Sequence, residues 1–438
     1  MIQALLSRLG VLRYAVTRSF WFVPGLMTLG AIGLVVATRD VAGVKALETF
    51  FKDNDLIAAG PESTRTILAT TVGSIITVTS LVFSMVLIAL SRASQQLGPR
   101  LLQAFTGDKV NQVVLGAFVA TFVHALLTLA MTPDPIPPTA VAVSIVLVLA
   151  CFVLLVFFLH HTAQYMQADY VLARVNAELC AAIPTTFPEA GSPPPPGRPD
   201  WAGRDEGDRL MAPGSGYIQA VDYHRLLELA GAHDLRLRLD MRPGHFVLAG
   251  GVIGQIAPAG RCTSKVREEI ADAIVIGSVR TAAQDLEFSI KAMVEIALRA
   301  LSPGINDTYT AVAAIDQLGA ALASAIVRSE PPGCFADGDG AVRLVCDRVT
   351  FESLLDAAYN PIRQNLAGNV TGIIRLVDML GELAPFAGSP EGRQALLRHL
   401  DMTVSLAKRT VGGERDGADV AARASVARGA LAPATIPA

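Results

Sequence analysis

The first 160 residues contain four apolar runs, at about 20–38, 67–90, 110–131 and 139–159, each close to the length that a bilayer core demands. A segment in lipid has no water to satisfy its backbone, so each run must close its hydrogen bonds internally, as a helix does. No comparable run follows His160. The runs explain a composition of 52% hydrophobic and only 17% charged residues over 438 positions. The expected fold class is therefore an α-helical integral membrane protein with four transmembrane helices, followed by a C-terminal cytoplasmic α+β domain that is mostly helical.

A formal net charge of -3 offers no electrostatic reason to seek polyanions, and no nucleic-acid partner is expected. Five cysteines, at 151, 180, 262, 334 and 346, have neither an even count nor a paired spacing, so neither a disulfide framework nor a metal site is expected. Arg8, Arg13 and Arg18 precede the first span without an acid, and Arg92, Arg100 and Lys109 fill the second loop. Basic flanks stay inside during insertion, which implies that residues 1–18 and the C-terminal domain are cytoplasmic. The loop from Arg39 to Thr66 runs against this with four basic residues, accompanied by five acids. The first run is longer than a signal-peptide core and reads as an uncleaved anchor.

Span two carries the most specific pattern. At 100° per residue, Thr70, Gly73, Thr77, Ser80, Ser84 and Ser91 fall on one small or hydroxylated stripe. Such a stripe serves either as the lining of a solute path or as a helix-packing seam. Span three holds His124 between Thr121 and Thr128 at helical spacing, which suits a hydroxyl hydrogen bond or a proton-sensing or permeation role. No span has an interior Asp, Glu, Lys or Arg, which argues against a proton-coupled pump or voltage sensor. His160 and His161 close span four, but adjacent helical residues point about 100° apart and cannot share one metal ion. Arg92, Gln95, Gln96 and Arg100 surround the Gly98-Pro99 break and form a candidate cytoplasmic mouth.

Beyond the spans, 161–183 reads as a helical extension ending before Pro184, and 184–215 as a Pro/Gly linker with no packed core. Residues 216–260 read as a small α+β subdomain: a strand at Tyr217, a helix capped by Asp222, alternation over Leu235–Asp240, and strands around Gly250-Gly251. No lysine sits at a turn tip for a carrier role and no phosphate-binding glycine loop occurs, so no cofactor is expected. Residues 261–411 read as a helical subdomain, with helices from Ser264 to Val275, Arg280 to Leu301, near Thr308 to Val327, Thr350 to Leu383 interrupted by Pro361, and Glu391 to Val411. Glu287, Lys291, Glu295 and Arg299 form an i,i+4 ladder expected on a solvated face. Residues 412–438 read as a flexible tail. Arg280, Asp285, Ser302, Asn306, Asp307 and Thr308 form a candidate ligand or interface segment, with a capped inter-helix turn as the plainer alternative.

The run LVFSMVLIALSRASQQLGPRL at 81–101, LGAFVATF at 115–122 and RTAAQDLEFSIKAMVEIALRALSPGINDTYTA at 280–311 resemble the bacterial membrane family known as domain of unknown function 2254. The resemblance covers about residues 10–410 and implies four spans plus a C-terminal soluble part in the bacterial inner membrane. It implies no activity and no catalytic residues. From the residues themselves the leading expectation is a homo-oligomeric channel or passive transporter for an ion or small solute, with the lipid bilayer as its surroundings. The alternative is a membrane-anchored sensor or scaffold whose cytoplasmic domain binds a ligand or partner. No nucleophile or metal constellation points to an enzyme.

Overall fold

A computed structural model of the chain describes residues 21–40, 61–97, 108–132, 136–165, 167–192, 196–203 and 207–432. The chain divides into two compact units, Met1–Gln167 and Ala168–Ala438.

The N-terminal unit holds α1 (Phe22–Asp40), α2 (Pro61–Leu97), α3 (Lys109–Met131) and α4 (Pro138–Tyr165). Asp108 starts α3 by accepting from Val110 N at 2.7 Å. α3 is the central element, packing against each of the other three. Its contact with α1 depends on Gly116, where a Cβ would lie 2.7 Å from Met27 Sδ and 3.1 Å from Pro24 Cα. Small residues that let backbones approach are what holds helices together in lipid, where burial alone gains little. Ile75, Val82 and Val86 of α2 meet Val114 and Phe118 of α3 and Phe158 of α4 in the main apolar cluster.

Four helical segments among the described residues are long and apolar enough to cross a membrane: Glu62–Ile88, Lys109–Met131, Thr139–Gln164 and Thr308–Ile326. The first three correspond to expected spans. The remaining expected span is α1, whose apolar part, Phe22–Thr38, is shorter than the others. Thr308–Ile326 belongs to the C-terminal unit, where side chains from its neighbours satisfy its mid-helix polar groups: Asp316 bonds Arg375, and Gln317 accepts from Asn176 at 2.7 Å. Its apolar face is spent on protein neighbours, the pattern of a core helix.

The C-terminal unit opens with α5 (Ala168–Thr186), a helix separate from α4 that continues through Pro184. The expected linker contains more structure than its prolines suggest. Within it β1 (Asp208–Met211) pairs antiparallel with β5 (Val252–Ala257), and Leu210 is 2% exposed. The five-stranded sheet runs β1-β5-β3-β8-β7, with β3 at Arg236–Leu239, β7 at Cys334–Ala336 and β8 at Val342–Cys346. β3 and β8 are parallel. A second sheet has the order β4-β2-β6, with β2 at Gly216–Val221, β4 at Phe246–Val247 and β6 at Ile274–Gly277. β6 replaces the expected end of the helix from Ser264: α7 (Ser264–Asp272) stops before the β-branched Ile274-Val275-Ile276, which suits a strand better. The helix α6 (Tyr223–Ala232) has the expected Asp222 cap.

The remaining helices are α8 (Leu286–Ala300), α9 (Thr308–Ile326), α10 (Phe351–Asn365), α11 (Val370–Glu382), α12 (Pro390–Thr410) and α13 (Glu414–Leu431). α5 packs on α8 and α9, and Tyr359 of α10 is fully buried with its hydroxyl donating to Ile315 O at 3.2 Å. Pro361 lies inside α10, and the break expected there falls instead between Leu366 and Asn369, where Asn369 caps α11. The expected flexible tail is largely α13. Val420, Ala424, Ala427 and Leu431 form a buried stripe at helical spacing, and α13 packs against α11 and α12.

Candidate functional site

In the N-terminal unit all six residues of the α2 stripe, Thr70, Gly73, Thr77, Ser80, Ser84 and Ser91, are exposed. The buried positions of α2, Thr64, Leu68, Ile75, Val82 and Val86, lie about half a turn away around the helix. Among the described residues, the stripe therefore faces no other helix of its own unit. Thr77, Ser80 and Ser84 donate to the carbonyls of Gly73, Ile76 and Ser80 at 2.9–3.0 Å, and a Cβ at Gly73 would meet nothing within 4 Å. Arg92, Gln95 and Gln96 belong to α2, but their side chains, like all of Arg100, lie outside the described residues.

His124 is completely buried, and its partner is Ser144 of α4 rather than either flanking threonine. Ser144 Oγ lies 3.2 Å from His124 Nδ1 and donates to Ala140 O at 3.0 Å. One hydroxyl proton cannot serve both, so the tautomer that satisfies both contacts has Nδ1–H donating to Ser144. His124 Nε2 is then a bare acceptor, buried and without a hydrogen-bond partner among the described residues. Thr121 instead donates to Ala117 O at 2.8 Å and meets Cys151 Sγ at 3.2 Å. At the other end of the bundle His161 Nε2 lies 3.3 Å from Asp108 Oδ2, tying the end of α4 to the start of α3, while His160 bonds Gln164.

In the C-terminal unit the residues Arg280 to Thr308 separate into two places. Arg280 and Asp285 come together before α8: Asp285 Oδ1 accepts from Phe288 N at 3.2 Å as the helix cap, and Oδ2 accepts from Arg280 Nε at 2.8 Å. The expected helix from Arg280 thus begins only after this clasp. Gly244, at φ +92°, lies directly beneath it, and a Cβ there would meet both partners. Burial raises the Asp285 carboxyl above its ordinary range despite Arg280. Gln284 pairs with the backbone of Val221, accepting from its N at 3.0 Å and donating to its O at 3.3 Å. Ser302, Asn306, Asp307 and Thr308 sit at the far end of α8, about 22 Å away for a 15-residue helix. There Asp307 caps α9 through Thr310, Asn306 adopts φ +50°, and Asn369 bonds Thr308 at 2.7 Å. The two Thr310 hydrogen bonds hold the Asp307 carboxyl below its ordinary range.

Next to the clasp, Arg242 donates to Glu287 at 2.6 Å and to Asp347 at 2.7 Å, and Lys291 donates to Glu287 at 2.9 Å. Burial opposes the Glu287 carboxylate, but Lys291 and Arg242 outweigh it and keep its pKa low. The ladder expected on a solvated face is thus anchored at Glu287, which is 14% exposed. A cleft of about 670 Å³ opens here, bounded by Arg242, Gln284, Asp285 and Arg348 and by the rings of Tyr223 and Phe335, stacked 5.8 Å apart. Among the described residues no three His, Cys, Asp or Glu side chains come together to hold a metal.

The model of the family described as predicted membrane protein, domain of unknown function 2254, matches residues 17–382. The chain belongs to that family. Uncharacterized proteins of Mycobacterium bovis and Mycobacterium tuberculosis are each 31% identical over 402 residues, covering 87% of this chain and 76% of the relative. No solved structure matches. Within this member of domain of unknown function 2254, the 280–311 segment supplies the Arg280–Asp285 clasp at one end and the cap of α9 at the other. Sequence reasoning missed Arg242, Glu287 as its partner, and Asp347. Their ion pairs span 45 and 105 positions, and no local spacing announces contacts that distant.

Proposed function

We propose that the protein is a homo-oligomeric channel or passive transporter for an ion or small solute, with its C-terminal unit cytoplasmic and regulatory. The observation that supports this is the α2 stripe, which faces away from the other described helices of its own unit along most of a 37-residue helix. A face of Gly, Ser and Thr permits close approach by a second copy of α2 and offers hydroxyl oxygens to a solute between copies. Single-channel recording from the purified protein in planar bilayers tests it, with a Ser80→Leu/Ser84→Leu variant as comparison. Conductance in the parent that falls or changes selectivity in the variant is expected. No conductance, or conductance indifferent to the two leucines, rules the reading out.

The clefts of the C-terminal unit favour a second reading, a membrane-anchored sensor. It requires that this unit fold and bind when expressed alone. The fragment must run from Ala168 to Leu431, because β1 completes the sheet, α5 packs on α8 and α9, and α13 covers α11. An inert or insoluble fragment would count against it.

A further inference from the structure

A second cleft of about 660 Å³ lies on the β3-β8-β7 side of the five-stranded sheet, and its charges do not cancel pairwise. Five charged side chains line it. Arg238 is held by Asp240, with Nε 2.9 Å from Oδ1, and Asp347 is held by Arg242 at 2.7 Å. Arg198 and Arg348 remain, and among the described residues neither has a carboxylate within ion-pair distance. The Arg348 guanidinium is oriented by a bond from Nη1 to Pro331 O at 2.5 Å, and its charge also acts on the Glu330 carboxylate at the start of α10. Arg198 is exposed in the irregular segment 196–199. Both guanidiniums act on the Cys334 thiol, opposing the upward pull of its burial, and all three residues line the cleft.

The rest of the wall suits an anion. Gly197 and Gly333 line it without side chains, so a ligand can reach the backbone there. Thr350, the N-cap of the 15-residue α10, is also in the wall, adding the positive end of a helix dipole. The first amides of that helix are already taken, Thr350 N by Ser353 Oγ at 3.0 Å and Phe351 N by Glu330 at 3.1 Å, so the binding contacts fall to the guanidiniums. A planar guanidinium matches two oxygens of a phosphate at once. The volume lies within the range of small-ligand sites and far exceeds what an inorganic ion fills.

We propose that this cleft binds a phosphate monoester, its dianionic group held between Arg198 and Arg348 and its organic part lying toward Cys334 and Val345. The inference is independent of the α2 reading, since it concerns side chains of the C-terminal unit alone. Calorimetric titration of the full chain in phosphatidylcholine nanodiscs tests it, with inorganic phosphate and AMP as probes. AMP is expected to bind, and more tightly than phosphate. Arg198→Gln, at an exposed residue with no hydrogen bond to another described residue, and Arg348→Gln should each weaken AMP binding about ten-fold or more, the worth of a charge-assisted contact. Arg348→Lys should weaken it less, and Arg415→Gln, an exposed arginine of α13 outside the cleft, should leave it unchanged. Phosphatidic acid carries the same monoester: competition by discs containing it assigns the ligand to a lipid headgroup, and lack of competition to a soluble metabolite. Absence of AMP binding, or equal loss in the Arg198, Arg348 and Arg415 variants, overturns the proposal.

Discussion

Replacing Gly244 by alanine should be among the most damaging single-methyl additions in the C-terminal unit, and Gly250 provides its control. Both glycines have positive φ, +92° and +72°. An alanine at such an angle costs about 1–2 kcal/mol wherever it stands. At Gly250 a Cβ meets nothing within 4 Å, so the backbone cost is the whole cost. At Gly244 the Cβ also runs into the Asp285 carboxylate and lies 2.6 Å from Arg280 Nη2. Pushing the clasp aside removes the Asp285 cap of α8, worth about 1 kcal/mol, and overpacks a well-filled spot, worth about 1–3 kcal/mol. The sum is about 3–6 kcal/mol for Gly244→Ala against about 1–2 kcal/mol for Gly250→Ala. At about 2–4 °C per kcal/mol for a unit of this size, the melting temperature should fall by about 6–24 °C in the first case and by about 2–8 °C in the second. Thermal unfolding of the fragment from Ala168 to Leu431 can be followed by Trp201 fluorescence, since the other tryptophan, Trp21, lies outside it. Equal shifts in the two variants would show that the clasp does not occupy the space under Gly244, and the argument would fail.

Three further outcomes follow from the same unit. Arg242→Gln leaves Glu287 and Asp347 without their shared cation; with Glu287 only 14% exposed, the cost should be about 2–3 kcal/mol, read as a lower urea midpoint, and a change under about 0.5 kcal/mol would contradict it. Ala427→Leu, on the buried stripe of α13 facing Gly381, should cost about 1–3 kcal/mol by overpacking, whereas a neutral result would mean that α13 is not docked. Burial depresses the His399 imidazole below its ordinary 6.5, against the pull of Asp356 at 2.8 Å. The unfolded chain therefore takes up the proton first: this contribution is fully present above about pH 6.5 and is lost as pH falls through the lower folded value. Stability measured by urea at stepped pH should decline over that window, and His399→Gln should flatten the decline; an unchanged slope would refute the assignment.

Much of the helical architecture was legible because its signals are local. Apolar runs marked α2, α3 and α4, and Asp222 and the turn before Thr308 announced their helices through side chains that satisfy open amides. The errors share a cause as well. β1 and β8 are four and five residues long, and each is stabilised by partners far away in sequence, so neither a proline-rich stretch nor the gap after α9 displays a period. α13 hides its apolar stripe among alanines, which bury little area each and resemble loose sequence until α11 and α12 are beside them. At the candidate sites the pattern is the same: the α2 stripe is a property of one helix and could be read directly, while the Arg242 hub and the Arg198–Arg348 cleft exist only once distant segments have met.

The parallel pairing of β3 with β8 has a consequence for how the chain is made. Leu237 sits opposite Leu344, so the sheet cannot close until the ribosome has released α7, α8 and α9 as well. Until then β3 exposes one edge of a half-built sheet, the kind of contact that is slow to form and prone to the wrong partner. The N-terminal helices have no such wait, since every contact within that unit lies in the first 167 residues. A nascent chain would therefore have its N-terminal helices packed while its C-terminal unit was still an open template, unable to finish in pieces.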